Sequence, residues 1–240
     1  MKILVIVAHP DDEVLGVGGT MLKHIENGDH VRVVFMATGI SARRSSGYKN
    51  VAIYENDKSE IEKMNNEIRI IQNDVKNACN ILKINDIKFH KFPDNEMDSI
   101  PLLKIIKIVE SEITDMNPDI IYTHHYGDLN IDHRTIYNAV LTASRPINNS
   151  LKELICFEVA SSTEWNYPPS FKPNYFVNID DQLENKIKAM EEYKSEIREF
   201  PHPRSSENLR ITAGRWGSVC GQKSAEAFEI IRKNKKEFYC

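Results

Sequence analysis

Cysteine is scarce: four residues in 240, at Cys79, Cys156, Cys220 and Cys240, form no C-x-x-C pair and read as reduced thiols. No apolar run approaches the ~20 residues a bilayer-spanning helix needs, and Met1-Lys2 leads straight into a first strand, with no room for a signal peptide. The expectation is a cytoplasmic protein without stable membrane insertion. Excess positive charge is missing too: 31 Lys and Arg stand against 35 Asp and Glu. The formal net charge of −4 gives no general attraction to nucleic acid or to anionic lipid. Low-complexity segments, linkers and internal repeats are absent. The first strand is not followed by a G-x-G-x-x-G turn, which counts against a dinucleotide-binding module.

What is present is alternation. Strand-like runs at 2–8, 30–37, 86–92, 118–123 and 151–160 are separated by helical patterns at 12–27, 57–82, 100–116 and 132–144. This order predicts a Rossmann-like α/β fold, a mostly parallel sheet flanked by helices. Beyond residue 160 the pattern loosens: a Pro- and aromatic-rich stretch at 165–178, a charged helix at 181–197, a weakly helical stretch at 206–218, and 225–231 as strand or helix. A length of 240 residues fits one domain, with a core of about 1–160 and a small C-terminal cap of about 161–240.

Two polar clusters carry the chemistry. His9-Pro10-Asp11-Asp12-Glu13 follows the first strand at the rim where open α/β sheets place active sites. The ordinary reading of such an acidic run is complementation of a helix N-terminus. A second cluster, His124-His125 through Asp132-His133, again follows a strand end and opens a helix, and shifts the balance toward a site. His9, Asp12 and His133 make a two-His, one-carboxylate set, which leaves a coordination position for water as catalytic zinc sites do. The neighbouring Asp11 is then placed to take a proton from that water.

Ala8-His9-Pro10-Asp11-Asp12-Glu13 with Gly18-Gly19-Thr20, and Asp128-Leu129-Asn130-Ile131-Asp132-His133-Arg134, resemble the two motifs of the PIG-L/LmbE-like zinc de-N-acetylases. The resemblance implies that family's Rossmann-like fold and removal of acetyl from an N-acetylglucosamine-type sugar, or cleavage of a related amide such as a thiol-conjugate. It implies Zn2+, with Fe2+ able to replace it, held by His9, Asp12 and His133. Asp11 would be the general base and Asp132 the group that holds an imidazole in place. Well-studied members often carry a histidine where this chain has Asn130, whose amide can donate to an oxyanion but cannot act as an acid. His125 and His202 are the candidates to supply that help. The partner implied is a small-molecule N-acetylated sugar; a homo-oligomer is compatible with the aromatic C-terminal part.

Around the motifs, Arg43 and Arg44 suit an anionic part of a substrate, Asp94 could accept sugar hydroxyls, and Trp165 could stack on a sugar ring. A solvated loop, a turn-forming aspartate and ordinary packing are the respective bland alternatives. Two histidines and a carboxylate also describe a non-haem iron oxygenase triad, but that chemistry leaves Asp11 without a role.

Overall fold

A computed structural model of the chain describes residues 1–37, 58–147 and 151–234, the side chains of 58–61, 63 and 64 aside. The elements run β1 (Lys2–Val7), α1 (Asp12–Glu26), β2 (His30–Ala37), α2 (Lys58–Ile81), β3 (Asp86–Phe92), α3 (Leu102–Met116), β4 (Ile120–His124), α4 (Ile131–Ala143) and β5 (Glu153–Phe157). After these come β6 (Tyr175–Asn178), α5 (Leu183–Glu191), α6 (Ser206–Cys220) and β7 (Ala225–Lys233), with short 3-10 helices at Met97–Ser99 and Thr163–Trp165.

The strands form one seven-stranded sheet in the order β3-β2-β1-β4-β5-β7-β6. The first five are parallel, while β7 runs antiparallel to β5 and β6 antiparallel to β7. Apolar side chains of β1 alternate between two cores. Ile3, Val5 and Val7 face α1, α2 and α5; Leu4, Ile6 and Ala8 face α3 and α4. A strand buried on both faces is what its uninterrupted apolar run implies. Because α1 leads to β2 on one side and the chain later returns to β4 on the other, the winding reverses between β1 and β4. The C-terminal ends of those two strands are therefore the crevice in which such sheets bind ligands.

Two differences from the sequence reading lie after residue 160. The residues beyond 160 add two strands to the sheet: β7 resolves the segment left open as strand or helix, and β6 was not expected. β6 went unseen because Pro168, Pro169 and Pro173 mark its approach as loop, yet an edge strand tolerates flanking proline. The helix expected over 181–197 ends at Glu191, where the chain turns so that Tyr193 enters the core and its hydroxyl donates to Glu13 Oε1. Arg43 and Arg44 lie outside the described residues.

Candidate metal centre

β1 and β4 end side by side, tied by the Ala8 N–H donating to His124 Nε2 over 2.8 Å. From there the chain enters α1 through Asp11, whose φ of 104° is a left-handed conformation that an L-residue adopts only at a cost. That turn has a consequence. The Asp11 side chain makes no capping bond to the helix, so the bland role of these acids does not use it. Its backbone N–H is instead held by Glu13 Oε2 at 3.0 Å. Gly16, one turn on, leaves no space for a side chain, since a Cβ there would run into the Phe157 ring. This close approach seats α1 on the end of β5.

His9, Asp12 and His133 converge. His9 Nδ1 lies 3.4 Å from Asp12 Oδ2, His133 Nε2 lies 3.3 Å from the same oxygen, and the two nitrogens are 3.3 Å apart. Ligands about 2.0–2.1 Å from a tetrahedral zinc are separated by roughly 3.3–3.4 Å, so the three atoms already have the spacing of one face of that polyhedron. All three residues are largely or fully buried, and Asp12 Oδ1 has no hydrogen-bond partner. Asp12 Oδ2, which also accepts from the His9 N–H at 2.7 Å, and the two converging imidazole nitrogens form a donor set that fits a divalent ion.

A second carboxylate group meets the other nitrogen of His9. Its Nε2 lies 2.9 Å from Asp94 Oδ1 and 3.0 Å from Asp132 Oδ2. The Asp132 oxygens already accept from the backbone N–H groups of Asn95 (2.6 Å) and Met97 (3.0 Å), so this carboxylate is occupied as an orienting group. It fixes the Nε2–H tautomer and turns the Nδ1 lone pair toward Asp12. Asp128 does the same for His133, with Oδ1 3.1 Å from Nδ1; it accepts in turn from Ser162 Oγ and from Thr163 Oγ1 at 2.6 Å. His124, fully buried, stacks on His133 with ring centres 3.9 Å apart and planes 11° from parallel.

The electrostatics follow this layout. Burial alone would lower His133, but the Asp12 charge and hydrogen bonds to Asp12 and Asp128 lift it to about 9; His9 is raised by Asp12, Asp132 and Asp94 against the same burial. The pocket therefore favours positive charge between these groups. Burial would also raise Asp12, yet the His133 charge and hydrogen bonds to His133 and His9 hold it well below the usual range. His124 is driven down to about 3, chiefly by burial, and is a neutral plate. Asp11, buried and beside Asp12 and Glu13, is raised to about 7 even though Arg204 opposes the shift. Arg204 Nη1 stands 2.8 Å from Asp11 Oδ2 and 2.8 Å from Glu196 Oε2.

The structure thus brings His9, Asp11, Asp12, Asp94, Asp132 and His133 together. Asn130 sits at the edge, where its side-chain oxygen caps α4 by accepting from the Asp132 N–H (2.8 Å) and its amide donates to Asn95 Oδ1 (2.7 Å). His125 is buried with Nδ1 accepting from the Gly127 N–H (3.1 Å) and Nε2 3.2 Å from Glu229. His202 Nδ1 accepts from the Arg204 N–H (3.1 Å), which links it to Asp11 through Arg204. Asp128 and the orienting part of Glu13 were missed, because their partners Ser162, Thr163 and Tyr193 are distant in sequence. Arg204, which follows Pro201-His202-Pro203, belongs to neither motif.

Residues 4–144, more than half of the chain, match the family model described as PIG-L: GlcNAc-PI de-N-acetylase. Among curated proteins, the chain is 25% identical to the diacetylchitobiose deacetylase of Thermococcus kodakarensis, across 96% of this chain and 83% of that one. Among solved structures it resembles the N,N'-diacetylchitobiose deacetylase from Pyrococcus horikoshii, with a TM-score of 0.70 at 22% identity, covering 96% of this chain and 83% of the other. The 4-carboxy-2-hydroxymuconate hydratase GalB from Pseudomonas putida also reaches a TM-score of 0.70, at 17% identity over 100% of this chain and 99% of its own. The shared fold by itself therefore does not choose the reaction.

Proposed function

The chain belongs to the PIG-L family of GlcNAc-PI de-N-acetylases, and from that premise we propose that it is a metal-dependent hydrolase removing the acetyl group from an N-acetylated sugar. The observation that carries this reading is the triangle of His9 Nδ1, Asp12 and His133 Nε2 with Asp11 one residue away. His9, Asp12 and His133 would hold zinc, or ferrous iron in its place. Bound there, such an ion would supply a Lewis acid for the acetyl carbonyl and would lower the pKa of a water to about 7.

The chain's own residues do the rest. Asp11, raised to about 7 and free of any capping bond to the helix it precedes, accepts a proton as water adds to the acetamide carbon. It returns that proton to nitrogen as the C–N bond breaks, giving acetate and the free amine. Arg204 fixes the carboxylate in position. Asp132 and Asp94 hold His9, and Asp128 holds His133. Asn130, with its carbonyl committed to the helix cap, keeps an N–H to offer the substrate.

The test is acetate release by zinc-loaded protein from a panel of N-acetylated glycosides and nucleotide sugars, with a thiol-conjugate amide alongside. Asp11→Asn should lower kcat by roughly 10²–10⁴-fold with metal content retained, whereas His133→Ala should lose the metal. Turnover near wild type in Asp11→Asn would sink the mechanism.

A further inference from the structure

The 3-10 helix Thr163–Trp165 is tied to the metal centre at both ends. On its inner side Ser162 and Thr163 bond to Asp128, which orients His133. Asn166 Nδ2 donates to the Gly127 carbonyl over 2.8 Å, pinning the far side of the turn to the loop that follows β4. On its outer side the Trp165 indole meets the His202 imidazole edge to face, with centroids 5.9 Å apart and planes at 83°. His202 accepts from the Arg204 N–H, and the Arg204 guanidinium binds Asp11 and donates through Nε to Ser161 Oγ (2.8 Å). The indole therefore stands on the rim between the support of the last metal ligand and the support of the base.

Trp165 is nonetheless 49% exposed. A large aromatic ring set at right angles to its imidazole neighbour, with half its surface in water, offers a pre-organised flat surface. The perpendicular imidazole adds a polar edge. With Nδ1 accepting from Arg204, the neutral His202 ring carries its proton on Nε2, a donor set at right angles to the indole. The same two loops present Tyr167 and Phe200 to solvent. A flat apolar face beside an N–H donor matches a pyranose, whose C–H groups line its faces and whose hydroxyls point out at its edges.

Resting on the deacetylase reading, we propose that Trp165 and His202 form a subsite for the sugar ring adjacent to the one that loses its acetyl group, so that the substrate is at least a disaccharide. Trp165 supplies the stacking face and His202 a hydrogen bond to a ring hydroxyl.

Two measurements test this. The first is the ratio of kcat/KM for N,N'-diacetylchitobiose to that for N-acetylglucosamine in wild type, Trp165→Ala and Trp165→Phe. The ratio should fall about tenfold in Trp165→Ala, carried by KM for the disaccharide, and largely recover in Trp165→Phe. The second is quenching of tryptophan fluorescence by N,N'-diacetylchitobiose in the Asp11→Asn protein; one of the chain's two tryptophans should report it, and the signal should vanish when Trp165→Phe is added. An equal loss on both substrates, an unchanged ratio accompanied by a change of oligomeric state, or no quenching would each overturn the subsite. Quenching without acetate release from either sugar would instead sink the deacetylase reading and leave the subsite standing.

Discussion

Asp128 Oδ1 lies 3.1 Å from His133 Nδ1, on the side of the imidazole opposite the nitrogen that faces Asp12. The carboxylate is fully buried, and burial would raise its pKa. Hydrogen bonds from His133, Ser162 and Thr163 nevertheless hold it at about 2. An ionised acceptor there keeps the proton on Nδ1 and the lone pair on Nε2. Asp128→Asn should weaken zinc affinity by roughly 10–100-fold, measured by competition with a chromogenic chelator. A variant that binds zinc as tightly as wild type would show that Asp128 serves only its own loop.

Metal removal should be visible in stability before any substrate is found. The ion would bind the folded triangle far better than the unfolded chain, so at a hundredfold excess over Kd it contributes about 2.7 kcal/mol. For a chain of this length that corresponds to a Tm change of roughly 5–10 °C. Chelator should lower Tm by that amount, zinc should restore it, and His9→Ala should make the melting curve indifferent to both. A chelator-independent Tm in the wild type would argue against an ion at this place.

The parallel core and the convergence of His9, Asp12 and His133 were legible in the sequence for a common reason. The short, β-branched, uninterrupted apolar run of β1 fits a strand buried on both faces, and it delivers His9 and Asp12 to the rim of the sheet. The same logic at the end of β4 delivers His133. Asp128 and Glu13 stand in these same motifs, but what they do depends on Ser162, Thr163 and Tyr193, which the fold brings from 34 to 180 residues away. His124 reads as a strand-end residue like His125, and packing alone decides that one stacks on His133 while the other turns to Glu229. Edge strand β6 is set by its pairing with β7, a tertiary choice that local propensity does not record.

α1, which begins at Asp12, is held in its middle by a buried ion pair. Lys186 Nζ lies 2.6 Å from Glu226 Oε1 and donates to the Leu15 carbonyl over 2.9 Å; Glu226 accepts from the N–H groups of Gly19 (2.9 Å) and Thr20 (2.7 Å). In a regular helix the Gly19 N–H would bond to the Leu15 carbonyl, so the pair supplies a partner to each end of that link. Removing one charge strands the other in a buried place. Lys186→Met or Glu226→Gln alone should therefore cost about 3–5 kcal/mol in denaturant unfolding. The double variant should cost less than the sum of the two. Additive losses would show that the two side chains act independently.

Glu158, just after β5, sets a pH dependence of stability outside the His9, Asp12 and His133 triangle. Burial raises its carboxyl from 4.5 to about 7, although the Trp216 Nε1–H that donates to it opposes the shift. Between those two values the folded chain holds a proton at this position that the unfolded chain has released. Folding stability therefore falls as pH rises from about 4.5 to about 7, and the deficit persists above that. Fully realised, a shift from 4.5 to about 7 corresponds to roughly 3 kcal/mol. Glu158 keeps some contact with water, so the realised part is smaller. Gln at this position retains an oxygen for Trp216 and never ionises. Glu158→Gln should match wild type near pH 4.5 and exceed its Tm by a few degrees at pH 8, with the gap opening across that window. Other buried carboxyls such as Asp11 titrate in both proteins, so the difference between the two curves isolates this one group. Parallel curves from pH 4.5 to 8 would show that Glu158 ionises in the fold at no cost, with Trp216 and solvent stabilising its charge fully.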